Sequence, residues 1–475
     1  MGSEGNVTIY PHLFYCHTFG PCVMTQLIRR VRTIWWYSAS FLQKNAKFIL
    51  TSFVAGFIMI FFFLSIYPSI NSYLFRKKEK IGLIARVKLG SLPKIIISQI
   101  STPLVTITPQ GEIVPVLANS WEIMPDKKTF RFHIKNGLKW SDGKEFKARD
   151  IKLQFSEGVK INVVDDLTIE FILDQSLEVF PVYLTQPVIR NNTQGVGGPY
   201  KMQGYTKKRG FITSINLFPN RDKFPYKVYR FYTTANELSL AYKSGEINEF
   251  ETLDRSVVDS FAAWRNTKIK RVVDYSQIMT LFFNMKSELF KERDARKAVT
   301  YSIKSFDEYG VPAVGSIPPI SWAHMNDVKQ YGYNLNKATE GADKILSSTE
   351  EAKIKLYTFL DYAGIAEKIK TDLKKVRFDV SLKLVSFIPD EFDMFLTIWD
   401  VPQDPDQYIF WHSKQTVTNI THYNNAKIDK LLEDGREVVN VQQRKKIYRD
   451  FQKVIVDDLP AYFMYYPYVY TIKRK

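Results

Sequence analysis

The stretch IVPVLANSWEIMPDKKTFRFHIKNGLKWSDGKEFKARDIKLQF, residues 113–155, decides how the rest of the chain is read. Thr129, Arg131 and His133 alternate with Phe130, Phe132 and Ile134, a period of two that predicts a half-buried strand. Lys135, Asn136 and Gly137 follow as a turn, because Asn and Gly tolerate positive φ. Ser141, Asp142 and Gly143 make a second turn, and Ala148 to Ile151 read as the start of a helix. The stretch holds no nucleophile beside a base, no phosphate loop and no metal-ligand spacing. Its chemistry is that of a scaffold.

Working outward toward the N-terminus, residues 48–67 read FILTSFVAGFIMIFFFLSIY, twenty residues without a charge. That length crosses a bilayer as a helix, and the absence of a polar face argues against a core helix. No small-x-small cleavage site follows before Pro68, so an uncleaved anchor is expected rather than a signal peptide. Cys22 follows Phe19, Gly20 and Pro21, a poor lipobox that precedes the apolar stretch. Arg29, Arg30, Arg32, Lys44 and Lys47 lie before it, and Arg76, Lys77, Lys78 and Lys80 after it. The distribution of cations alone therefore gives little orientation preference. Met24 directly precedes the basic run and is a second candidate start beside Met1. Cys16 and Cys22 are the only cysteines, so the region beyond the anchor has no internal disulfide to rely on.

A chain of 475 residues with 45% hydrophobic and 24% charged residues has the material for a large core and more than one lobe. Aromatics reach 15%, and in an α/β protein most of these belong to the core. The net charge is +17. Residues 1–80 carry nine Lys or Arg against Glu4 and Glu79, a net +7, which leaves +10 for the rest. Those cations are interspersed with acids rather than clustered, so nucleic acid is not expected as a partner. A basic face toward anionic lipid headgroups or wall polymers suits a tethered domain better.

Working outward in the other direction, residues 163–173 read as a turn and a strand. Gly195, Gly197 and Gly198 precede Pro199 and Tyr200; with no following Lys-Ser/Thr and helix they predict a tight turn, not a phosphate cradle. A helix is expected to end at Gly245. Residues 354–358, 364–374 and 380–387 read strand, helix, strand, a unit that favours a parallel sheet. An apolar strand follows at 393–399, and amphipathic helices at 428–432 and 444–458.

The motif P-x-L-A-x-S-W-E starting at Pro115, followed by N-G-L-K-W-S-D-G-K-x-F-x-A-x-D-I starting at Asn136, resembles the signature of extracellular solute-binding proteins of the peptide/nickel-binding family. These are the substrate-capturing subunits of ATP-binding-cassette importers. Asp404-Pro405-Asp406, Phe410-Trp411-His412-Ser413 and Asn419 to Asn425 are similar to that family's D-P-D, F-W-x-S and N-x-x-x-Y-x-N. The resemblance covers about residues 81–475 with gaps, and relatives carry an extra segment where this chain has only the few residues between Phe155 and Val163. It implies an α/β, two-lobed periplasmic-binding-protein-like fold of the peptide-binding type, preceded by one transmembrane helix. The expected organisation is a cytosolic segment 1–47, a membrane helix 48–67, a basic stalk 68–80, lobe I at 81–280 with 462–475 returning to it, and lobe II at 281–461.

The resemblance also implies the function: reversible capture of a solute, oligopeptide being commonest among relatives, and delivery to permease subunits outside the membrane, with the N-terminus inside. No catalytic residue, cofactor or metal is expected. In peptide-binding relatives a carboxylate in the loop W-x-x-D-x-x-D-P meets the ligand's amine. Here Trp399 to Pro405 is one residue shorter and Val401 stands at the anchoring position. Either Asp400 substitutes or the amine anchor is missing. Trp399, Tyr408 and Trp411 are candidates for stacking on a ligand, and Asn284 for lining a cleft. Asp404 and Asp406 are expected to cap the loop and following helix. His412 and His422, ten residues apart without a third ligand, do not make a metal site. The rivals are a membrane-anchored sensor or scaffold with a degenerate cleft, and a polyanion-binding surface protein.

Overall fold

The computed structural model describes residues 21–74, 77–153, 155, 158–346 and 351–475. Cys16, the side chain of Cys22 and Arg76 of the basic stalk lie outside the described residues. The chain divides into two compact units, Met1–Arg76 and Lys77–Lys475. In the first, one helix runs Pro21–Leu74, so the stretch expected to cross a membrane is the middle of a longer helix. Within it Ile28–Ser65, whose most apolar 18-residue window has a mean hydropathy of 2.4, is the one segment among the described residues long and apolar enough to span a bilayer. Its large side chains, among them Phe57 and Phe61, are exposed, which is the state that only an apolar environment relieves.

The second unit is mixed α/β. Strand Thr129–Ile134 forms as its alternation requires, with Phe130, Phe132 and Ile134 buried and their neighbours half-buried. It sits inside a four-stranded antiparallel sheet in the order Ala118–Ile123, Thr129–Ile134, Thr168–Leu173, Val159–Val163. The expected helix at Ala148 is a single 3₁₀ turn, Ala148–Asp150, after which Ile151 is extended. The Asp150 carboxylate is spent on Lys147 N at 3.1 Å and Trp140 Nε1 at 3.1 Å, closing the turn onto the hairpin that precedes it. The glycine turn packs flat on residues 100–102. A Cβ on Gly195 would stand 2.0 Å from the Ile100 carbonyl oxygen, so backbone occupies the place a phosphate would need.

A larger sheet runs in the order Tyr200–Lys208, Phe211–Pro219, Tyr226–Tyr232, Lys78–Ile84, Glu249–Thr252, Ala461–Arg474, Gln277–Phe283, Met394–Asp400, Ala352–Phe359, Phe378–Val385. The long strand Ala461–Arg474 has different partners along its two halves. Its C-terminal half pairs with Glu249–Thr252 and Thr267–Val273, and its N-terminal half with Gln277–Phe283 and Gly310–Pro312. Between Val273 and Gln277, and again near Pro467, the chain crosses from one set of this strand's partners to the other. The predicted β-α-β unit is present as Ala352–Phe359, Ala363–Leu373 and Phe378–Val385, with the strands parallel. The helix Ala235–Ser244 starts at Thr234, whose side chain accepts from Glu237 N, and stops at Gly245 with φ 81°, the left-handed cap that glycine adopts at least cost.

Candidate functional site

Strands Gln277–Phe283 and Met394–Asp400 pair antiparallel with Gln277 opposite Asp400, Thr280 opposite Thr397 and Phe282 opposite Phe395. Alternation then sorts their side chains. Met279, Leu281, Phe283, Met394 and Leu396 face a core that includes Ile365 and Ile369 of the helix Ala363–Leu373. Ile278, Phe282, Phe395 and Trp399 face the helices Ala426–Glu437 and Val441–Asp458. On this second face a cleft of about 590 Å³ opens. Trp399 and Phe410 form one wall edge to face, with ring centroids 5.2 Å apart, and Trp411 stands 6.0 Å from Trp399. Phe359, Tyr362 and Ile420 line the remainder. Trp411 is fixed by donating from Nε1 to Gln407 Oε1 at 2.9 Å, and Gln407 in turn donates to the Ser316 carbonyl.

The cleft is apolar with one carboxylate. Asp400 is exposed at the strand end beside the first crossing, where Gln277 Nε2 donates to its Oδ1 at 2.9 Å. A pocket of aromatic walls with a single anionic group suits a molecule with an apolar side chain and a cationic end. Of the residues singled out in the sequence, Trp399, Asp400 and Trp411 share this cleft. Tyr408 stands apart, its ring stacked 4.1 Å from His412 with the Arg436 guanidinium 3.7 Å above it. Asn284 is buried; its Nδ2 donates to the Phe392 carbonyl and its Oδ1 accepts from Lys286 N. Phe359, Tyr362, Phe410, Thr418, Ile420 and Thr421 also line the cleft. Phe410 and Ile420 adjoin motif residues, but nothing in sequence spacing connects Phe359 to them.

The shortened loop after Trp399 is held from several sides. Asp404 caps Asp406 N and is also locked to Arg444, which donates from Nη1 at 2.9 Å and from Nη2 at 2.7 Å. Both side chains are at most 4% exposed. Burial pulls the Arg444 guanidinium down, and the Asp404 carboxylate more than offsets it, so the group stays charged. Asp406 caps Tyr408 N and accepts from Arg436 Nε at 2.8 Å. Its Oδ2 also accepts from the Tyr183 hydroxyl at 2.5 Å, while Arg436 Nη2 donates to that hydroxyl at 2.8 Å. Tyr183 follows the four-stranded sheet, so this triad ties that part of the chain to the D-P-D loop and to the helix Ala426–Glu437. Burial and the neighbouring carboxylate hold the Tyr183 phenol well above its usual range. His412 is buried; its Nδ1 accepts from Lys414 N and its Nε2 faces Glu433 at 3.2 Å. Among the described residues no three His, Cys, Asp or Glu are grouped to hold a metal.

Comparison with known proteins agrees with this architecture. The family model of the bacterial extracellular solute-binding proteins, family 5 middle region, matches residues 112–419. The oligopeptide-binding protein AppA of Bacillus subtilis (strain 168) is 26% identical over 427 residues, covering 74% of this chain and 78% of AppA. The solved structure of AppA in complex with a nonapeptide superposes with a TM-score of 0.67 at 22% identity, covering 84% of this chain and 95% of that one. NikZ of Campylobacter jejuni in complex with Ni(L-His) does so with a TM-score of 0.68 at 21% identity, covering 84% and 94%. At such identities the superpositions establish the two-lobed fold, and the family match establishes kinship. With the signature of residues 115–151 on the scaffold sheet and the D-P-D loop beside the cleft, the chain belongs to the bacterial extracellular solute-binding proteins of family 5.

Proposed function

We propose that the unit Lys77–Lys475 captures an oligopeptide between its two lobes and presents it to a membrane permease of the ATP-binding-cassette class. The observation that carries this reading is the cleft itself: Trp399, Phe410 and Trp411 surround a space fit for an apolar side chain, with Asp400 at its rim to meet an amine. AppA, whose name and structure describe oligopeptide binding, supports the ligand class. Lobe I then comprises the strands up to Val273 with the C-terminal half of Ala461–Arg474, and lobe II the residues between the two crossings. The apolar helix holds the protein in the cell membrane, N-terminus inside, with the binding unit outside. Asn284 and Tyr408 support the walls rather than touch ligand in this reading.

A second reading, a membrane-anchored sensor or scaffold with a cleft no longer used for import, is favoured by the shortened loop, in which Gln277 already holds Asp400. Native mass spectrometry of the full chain purified from cells separates the two. Co-purified peptides, released on denaturation, are expected. An empty cleft that also shows no thermal shift with a peptide library rules the capture reading out.

A further inference from the structure

The strand register brings the starts and ends of seven strands to one end of the first lobe, and that end is basic. Lys78 opens its strand opposite Tyr226. Tyr200 pairs with Pro219, so Lys201 and the loop holding Arg221 and Lys223 lie at the same end. Glu249 pairs with Lys473, and Lys268 pairs with Lys473 from the other side. Lys77, Lys78, Lys201, Lys223, Arg265 and Lys268 are all exposed there. The acids of this end are largely engaged. Glu79 and Glu249 share Lys473, Glu246 is paired with Arg230, and Asp222 has its own interaction.

Covalent continuity says what this end meets. Leu74, the last residue of the apolar helix, precedes Lys78 by four residues, which is at most about 14 Å of chain. We infer that this basic end of the first lobe lies on the headgroups of an anionic bilayer, holding the binding unit against the membrane in a fixed orientation. The inference rests on the anchored reading. Exposed cations within a Debye length, about 10 Å, of an anionic surface each add roughly fivefold to its attraction. Several at one strand end therefore dominate the orientation of a domain whose tether cannot carry it away.

A second basic cluster provides the control. The hairpin tip at Lys207, Lys208 and Arg209 is exposed but lies at the opposite end of the same strands. The full chain is reconstituted into nanodiscs of phosphatidylcholine alone or mixed with phosphatidylglycerol, and amide hydrogen exchange is followed over residues 199–203, 220–227 and 264–270. Exchange is expected to slow severalfold in the anionic discs only. The slowing should be lost in the variant Lys201→Gln/Lys223→Gln/Lys268→Gln and kept in Lys207→Gln/Lys208→Gln/Arg209→Gln, both checked for an unchanged thermal midpoint. Equal exchange in the two lipids, equal loss in both variants, or the same protection from soluble polyphosphate over neutral discs each overturns the inference. A chain that enters neither disc refutes the anchored reading and the inference with it.

Discussion

Replacing Tyr183 with Phe should loosen the two lobes without disturbing either. The hydroxyl is the bridge: it donates to Asp406 and accepts from Arg436, while Arg436 keeps its own bond to Asp406. The substitution removes one oxygen, leaves the ring in place and leaves no buried charge unpaired. A hydrogen bond to a charged group is worth about 1.5–3 kcal/mol net, so the ratio of closed to open molecules should fall roughly 10- to 150-fold. The second unit has no cysteine, which makes paired labels straightforward once Cys16 and Cys22 are changed to Ser. Lys160→Cys on the first lobe and Lys446→Cys on the second are both exposed. Pulsed electron–electron distance measurement should show a wider distribution with a longer mean for Tyr183→Phe, narrowing again when ligand is added. An unchanged distribution at an unchanged melting point would refute the role given to this bridge.

Other outcomes follow from the same geometry. Asp404→Ala strands a buried guanidinium and should cost about 3–5 kcal/mol, lowering the melting point by roughly 4–6 °C for a unit of this size; adding Arg444→Met should recover most of that loss in calorimetry, and a second variant no better than the first would contradict the account. Asp400→Asn should weaken peptide binding roughly 10- to 100-fold in titration calorimetry, the worth of one charge-assisted bond, with stability unchanged because the side chain is exposed. Gly195→Ala drives a methyl into the Ile100 carbonyl and should cost at least about 1–3 kcal/mol, visible as an earlier urea midpoint. Burial, and behind it Lys286, hold the His422 imidazole below its usual value. Its neutral form is favoured in the folded state, so the stability it supports is full above the unfolded value of about 6.5 and is lost as pH falls through the folded one. His422→Gln should flatten the decline of the melting point between about pH 7 and about pH 5, and identical slopes would count against this assignment.

Much of the architecture is local and was legible as such. The alternation at Thr129–Ile134 and the cap at Gly245 depend on neighbours one to four residues away, which is the range over which periodicity and turn chemistry act. At Ala148 the pattern promises a helix start, and the structure holds a single 3₁₀ turn. The Asp150 carboxylate closes that start, accepting from the Lys147 amide and from Trp140, ten residues back, and the chain leaves the helical region at once, with Ile151 extended. The candidate site was legible only in part. Trp399 and Trp411 stood out as motif aromatics and share the cleft, whereas Tyr408, three residues before Trp411, turns to His412 and Arg436 instead.

By itself the sequence determined the family, the α/β character of the second unit and the presence of one helix apolar enough for a bilayer. Each of these is written in short-range patterns. Only the tertiary structure decided that Phe359, Trp399, Trp411 and Ile420 surround one space. It alone decided how the two aspartates of the D-P-D loop are used beyond their capping bonds. Asp404 is held by Arg444, 40 residues later, and Asp406 by Arg436, 30 residues later, and by Tyr183, 223 residues earlier. A buried charge takes whatever partner the fold brings within about 3 Å, and sequence separation carries no information about that distance.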